Sequence, residues 1–159
     1  MSTNAIFFLV LVLVIPALFA LAAVAVGGRR PRLLGQAGAL VAGLGFLGAF
    51  ALMVEAGRDQ AVSAIVGGLA FTADRLATFL LLLVFGVSTV VQAFAVRYLA
   101  GDPRAAWFTA GASLLTTGSA GLVTAATMVG LAAGWTVTVA ALCLLLGMYW
   151  HLPAARDGV

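Results

Sequence analysis

Long apolar stretches alternate along the chain with short connections that hold most of its polar residues and all of its charges. Ile6–Val26 carries no charge and is interrupted only by Pro16, which a membrane helix tolerates where neighbours re-satisfy the freed carbonyl. Met1–Ala5 has no Lys or Arg, and the apolar run outlasts the core of a signal peptide, so it is read as a retained span. Gly27-Gly28-Arg29-Arg30-Pro31-Arg32 closes it with a turn and three cations, and Leu33–Val54 forms a second run that leaves through the polar Glu55–Gln60. Ala61–Phe71 is apolar but too short to cross hydrocarbon, which takes about 20 helical residues, and its Val, Ile and central Gly67-Gly68 make it a poor helix. A short hairpin or re-entrant stretch is expected there. Thr72 and Asp74 then stand where N-cap and first-turn residues belong, ahead of a third span from Leu76 to Val96.

Arg97–Trp107 reads as a loop: Gly101-Asp102-Pro103 is a turn signal, and Tyr98 and Trp107 suit the headgroup level. Phe108–Tyr149 has no charge and twice the length of a span, so it folds back once. The turn is placed at Ala125–Met128, flanked by Thr124 and Thr127. Trp150 and His151 are expected at the interface, followed by a short tail from Pro153 to Val159. The pattern predicts an all-α membrane protein with one transmembrane domain over 1–159. Its five spans lie at about 6–26, 33–54, 76–96, 108–125 and 129–149, with a non-spanning segment at 61–71.

Composition agrees with that pattern. Of 159 residues 64% are hydrophobic and 8% charged, and the mean hydropathy is +1.21, which leaves no room for a soluble catalytic domain. A pI near 10.0 resembles a nucleic-acid signal until the cations are located: all are Arg and all lie in connections. With the N-terminus outside, Arg29, Arg30, Arg32, Arg97, Arg104 and Arg156 are cytoplasmic and only Arg58 and Arg75 lie outside. That bias predicts N-out, C-in and no nucleic-acid partner. A single cysteine, Cys143, and a single histidine, His151, exclude an internal disulfide and a self-contained zinc or iron–sulfur site. Cys143 is read as a small apolar filler in mid-span and His151 as an interfacial anchor rather than a haem ligand. Gly67-Gly68 lacks the Lys-Ser/Thr ending of a phosphate loop. No nucleophile with its base, no paired carboxylates and no metal constellation are present, so no catalytic, cofactor-binding or metal site is expected and an enzyme in its own right ranks last.

Ionisable residues within a bilayer mark ion paths and proton relays because each is costly to place there, and the five predicted spans contain none. A pump or antiporter contained wholly in this chain is therefore not expected. Polar residues within spans include Gln36, Ser88, Thr89, Gln92, Thr116, Thr117, Ser119, Thr136 and Thr138, read as packing glue or as hydroxyls that bond back to the preceding helical turn. Gln92 stands apart, since a buried amide needs a partner. Gly35, Ala39 and Gly43, with Gly38, Ala42, Gly45 and Gly48 beside them, and Gly111, Gly118 and Gly121 later, give faces on which helices approach closely.

Phe71-Thr72-Ala73-Asp74-Arg75-Leu76 and the stretch to Tyr149 resemble the start of the large antiporter-like proteins: subunit L (subunit 5) of NADH-quinone oxidoreductase, the MrpA component of Mrp antiporters, and DabB, the membrane subunit of the Dab inorganic-carbon transporter. Asp74-Arg75-Leu76 stands for the family's span opening, Phe94-Ala95-Val96-Arg97-Tyr98-Leu99 for the exit, Gly101-Asp102 for the turn and Trp107-Phe108 for the restart. Respiratory and Mrp members follow the fifth-span tryptophan with a glutamate important for proton movement, whereas this chain has Trp135-Thr136. Trp135, Thr138, Ala141-Leu142, Tyr149 and Pro153-Ala154-Ala155 resemble the Dab branch, with Cys143 where that branch usually has His. The family's central lysines lie in later helices, so the chain looks like an N-terminal piece. The resemblance implies a multi-pass subunit of an ion-coupled complex in the inner (plasma) membrane, linked to proton or sodium transport and giving scaffold helices rather than the ion path. Its partners would be other membrane subunits and, in the Dab case, a cytoplasmic zinc-containing subunit like carbonic anhydrase. The rival expectation is a stand-alone structural or assembly membrane protein.

Overall fold

The computed structural model describes residues 3–26, 31–58, 61–102 and 104–148. The expectations for Tyr149, Trp150, His151 and Pro153-Ala154-Ala155 fall outside the described residues. Five helices, α1 Thr3–Val26, α2 Pro31–Arg58, α3 Arg75–Tyr98, α4 Ala105–Thr124 and α5 Met128–Gly147, run in alternating directions, with strands β1 Val62–Val66 and β2 Leu69–Ala73 between α2 and α3.

Each helix buries one face. On α1 this face is Ala5, Leu9, Val12, Ala20 and Ala23, spaced three or four residues or multiples of that, and Pro16 lies inside the helix without ending it. The opposite faces remain apolar: Phe7 and Leu21 on α1, Leu40 and Leu47 on α2, Phe79, Leu83, Val87, Val90 and Phe94 on α3, and Met128 and Trp135 on α5 are all exposed. Such surfaces are at home against lipid and far too extensive for water. Asn4–Val26, Arg32–Gly57, Arg75–Tyr98 and Met128–Gly147 are long and apolar enough to cross a membrane, and the chain is an all-α membrane protein. Helix α4 differs. Thr109, Ser113, Thr116, Thr117, Ser119 and its glycines dilute its apolar character, and α1, α2, α3 and α5 all pack around it, so it meets protein more than lipid.

Small residues set the closest approaches. A Cβ on Gly118 would stand 2.7 Å from the Thr138 backbone nitrogen, and one on Gly134 would stand 2.8 Å from the Leu122 nitrogen, so α4 and α5 touch backbone to backbone. On α2, Gly45 makes the notch that receives the Phe85 ring, and Gly48 admits Val12.

Segment 61–71 is part of an antiparallel hairpin that runs on to Ala73, pairing Val62 with Ala73 and Val66 with Leu69. Gly67 and Gly68 have φ of +60° and +82°, the left-handed pair demanded by a two-residue type I′ turn. Thr72 is thus a strand residue and takes no part in a helix cap. The turn fixes a register in which it opposes Ser63, with the two hydroxyl oxygens 3.0 Å apart. Asp74 alone caps α3: its extended backbone (φ −92°, ψ −174°) lets its carboxylate accept from the Ala77 nitrogen at 2.7 Å. The hairpin packs at the end of the bundle where α1 begins. Its β2 also holds the α4–α5 turn, through a bridge between Phe71 and Ala125 and a hydrogen bond from the Ala126 nitrogen to the Ala70 carbonyl (3.1 Å). That turn ends on Thr127, which caps α5 by accepting from the Gly130 nitrogen at 3.1 Å.

Candidate functional site

Between α3 and α4, about halfway along both helices, hydroxyl and amide groups meet. Thr116 donates to the Ala112 carbonyl at 2.8 Å, so the 2.7 Å contact between Ser88 Oγ and Thr116 Oγ1 is made with the Ser88 proton. Ser88 then accepts from Gln92 Nε2 at 3.1 Å. In this arrangement Gln92 Oε1 points the other way, into the junction of α2, α3 and α4. There it lies against Gly38 beside the Thr109 methyl group, because Gly38 has no side chain to exclude it. Gln92 is 3% exposed, and its Oε1 has no hydrogen-bond partner. Ser113, 1% exposed on the same face of α4 as Thr109 and Thr116, has an unpartnered Oγ as well.

The Ser88–Thr116 contact sets the antiparallel register of α3 on α4, so that one turn further on Gln92 stands level with Ala112 and Ser113. Thr109, Ser113 and Thr116 recur at helical spacing on one face. Ser113 and Thr109 do not stand out in the sequence, although that spacing is the signal for them. On the outer side, Ser88, Thr116 and Ser119 line a groove of about 330 Å³ between α3, α4 and α5, walled by Val87 and Leu145. The other hydroxyls bond back to their own helices: Thr89 to the Phe85 carbonyl, Thr117 to Ser113 and Thr138 to Gly134.

The remaining motif positions do not converge on Gln92. Asp74 is the cap at the hairpin end. Tyr98 is exposed at the opposite end, stacked on Phe94 with ring centroids 5.7 Å apart. Asp102 organises the α3–α4 loop by accepting from the Arg104 nitrogen at 2.8 Å. Trp135 and Thr136 lie on the exposed face of α5, with the Thr136 hydroxyl turned back onto the Ala132 carbonyl. Cys143 is also exposed on α5; it faces outward rather than filling an interior gap, because the inward line of that helix is taken by Gly134 and Ala141. Gln36 is exposed on α2. Among the described residues no three His, Cys, Asp or Glu side chains gather where they could hold a metal ion.

Residues 62–109, from β1 through α3 into the start of α4, match the family described as NADH-Ubiquinone oxidoreductase (complex I), chain 5 N-terminus. The match covers less than half of the chain and supports the NADH-quinone oxidoreductase/Mrp superfamily as its setting. It includes Asp74, Gln92, Tyr98 and Asp102, and it stops short of Trp135 and Thr136. No curated protein matches the chain.

Proposed function

We infer that the chain is a membrane subunit of a proton-translocating, antiporter-like complex, in which it supplies scaffold helices and a subunit interface. One observation carries the scaffold role: the interior polar cluster is built only of neutral groups, while the described charged residues Arg32, Glu55, Arg58, Asp74, Arg75, Arg97, Asp102 and Arg104 all stand at helix ends or in connections. A neutral amide and four hydroxyls, those of Ser88, Thr109, Ser113 and Thr116, do not take up and release a proton near neutral pH. The exposed Trp135–Thr136 face of α5 and the apolar face of α3 are the surfaces offered to neighbouring membrane subunits. The arginine distribution favours N-out, C-in insertion in the inner (plasma) membrane.

Flux through proteoliposomes tests this reading. The chain alone is expected to give no proton or sodium flux above protein-free vesicles; clear flux through the lone chain would overturn the scaffold role. Extraction from its native membrane in mild detergent is expected to retain a stoichiometric membrane partner, whereas a lone monomer would favour a stand-alone structural or assembly protein. A second reading, inorganic-carbon uptake with a cytoplasmic zinc subunit like carbonic anhydrase, is favoured by Trp135, Thr138 and Ala141-Leu142 with no carboxylate beside the tryptophan. A neighbouring gene for a large zinc protein would support it, and a run of respiratory-subunit genes would support a respiratory membrane arm instead.

A further inference from the structure

The unpartnered oxygens of Gln92 and Ser113 lie about one helical turn inward from residues that line a small cavity. At the end of the bundle opposite the hairpin, a cavity of about 20 Å³ opens between the start of α2, the end of α3 and the start of α4, bordered by Arg32, Gly35, Ala95, Gly101 and Thr109. That is room for about one water molecule. Gly35 is one helical turn from Gly38, Ala95 is one turn from Gln92, and Thr109 borders the cavity while its methyl group flanks the Gln92 amide. In the other direction the packing closes. Phe85, two turns beyond Gln92, is fully buried in the Gly45 notch, and Leu81, Leu9, Val12 and Leu52 fill the space behind it.

We propose that water enters this bundle from the Arg32–Gly101 end only, hydrates Gln92 Oε1 and Ser113 Oγ in the bundle interior, and is stopped by Phe85. A buried amide oxygen needs a donor, and water supplies one where no side chain does. A bound cation is a poorer occupant, because among the described residues no carboxylate lines the cavity. The hydrogen-bond chain from Gln92 through Ser88 and Thr116 to the Ala112 carbonyl holds the amide with its oxygen toward the water. The site stands independently of the proposed function, since a stand-alone protein and a scaffold subunit would hydrate alike.

Water-edited solid-state NMR of the full chain in bilayers tests this directly, using polarisation transfer from water protons to the side-chain amide of Gln92. Transfer to Gln92 is expected to exceed that to the Phe85 ring at least several-fold. Transfer to Gln92 no greater than to Phe85 would overturn the proposal. Gly35→Leu should reduce the Gln92 signal to the Phe85 level, since a Cβ there meets only Val96, at 3.5 Å from its Cγ2, and the longer side chain fills the cavity. Ala95→Leu fills it from α3 and guards against a folding defect in the first variant, with unchanged Ser63 and Thr72 shifts reporting an intact hairpin. Ser119→Leu, on the outer groove, should leave the signal unchanged. Loss of signal in that variant, or its persistence in both cavity-filling variants with the hairpin intact, would place the access elsewhere and overturn the proposal.

Discussion

The two ends of the bundle are packed on different principles. Toward the hairpin, Leu9, Val12, Leu52, Leu81 and Phe85 interlock in a dry core that is capped by Val62, Phe71 and Ala73. Toward the α3–α4 loop, apart from Leu34 and Leu99, the buried residues are small or polar: Ala23, Ala106 and Ala110 beside Gln92, Thr109, Ser113 and Thr116. Lipid tails are as apolar as leucine, so helices in a bilayer gain nothing from merely burying apolar surface. The first end is held by close fit of large side chains and the second by small-residue contacts with one interhelical hydrogen bond, Ser88 to Thr116. Close fit fails when a large group is removed, whereas a polar cluster in which one amide oxygen has no protein partner loses little when the amide is replaced.

The largest expected effect is therefore at Phe85. Phe85→Ala empties the Gly45 notch and should cost about 3–5 kcal/mol, read as the shift in an unfolding titration in mixed micelles. A cost below about 1 kcal/mol would show that the hairpin end is not closely packed. Gly134→Val drives a side chain into the Leu122 backbone and should cost about 1–3 kcal/mol, with α5 detaching from α4 before the remaining helices separate. Thr116→Val keeps the shape but removes the acceptor for Ser88, and should cost about 1 kcal/mol. Gln92→Leu removes both the donor to Ser88 and the unpaired oxygen and should change stability by less than about 1 kcal/mol. A loss there as large as that of Phe85→Ala would abolish the distinction between the two ends. Asp74→Asn retains an acceptor for the Ala77 nitrogen and loses only the charge at the helix start, so its effect should be smallest, about 0.5 kcal/mol and without loss of complex assembly.

Much of the helical layout is legible in the sequence, because run length and the placement of charge decide it. The apolar stretches coincide with α1, α2, α3 and α5, and Gly67-Gly68 between Val/Ile-rich flanks marks a hairpin. The orientation of each helix is not legible. In α1 and α5 almost every position is apolar, so no period separates a lipid face from an interior face, and only shape selects Leu9 over Phe7. Gln92 can be singled out because an amide in hydrocarbon demands a partner. Its unpaired oxygen and the role of Gly38 depend on the register of α3 against α2 and α4, which local sequence does not encode. Thr72 misleads for a related reason: a threonine two residues before a cap and a threonine in a strand read alike until a partner strand claims one.

The link from β2 to the α4–α5 turn bears on how the molecule assembles. Helices with apolar surfaces all round can slide and rotate against one another at little cost, so a pair formed early in insertion has an ill-defined vertical offset. The Ala126–Ala70 hydrogen bond and the Phe71–Ala125 bridge are directional, and they lie at an end of the bundle rather than within its span. Once the hairpin has closed, it acts as a gauge block that sets how deep the last two helices sit relative to the first three. The offset that brings Ser88 opposite Thr116 is thereby fixed from the end of the bundle.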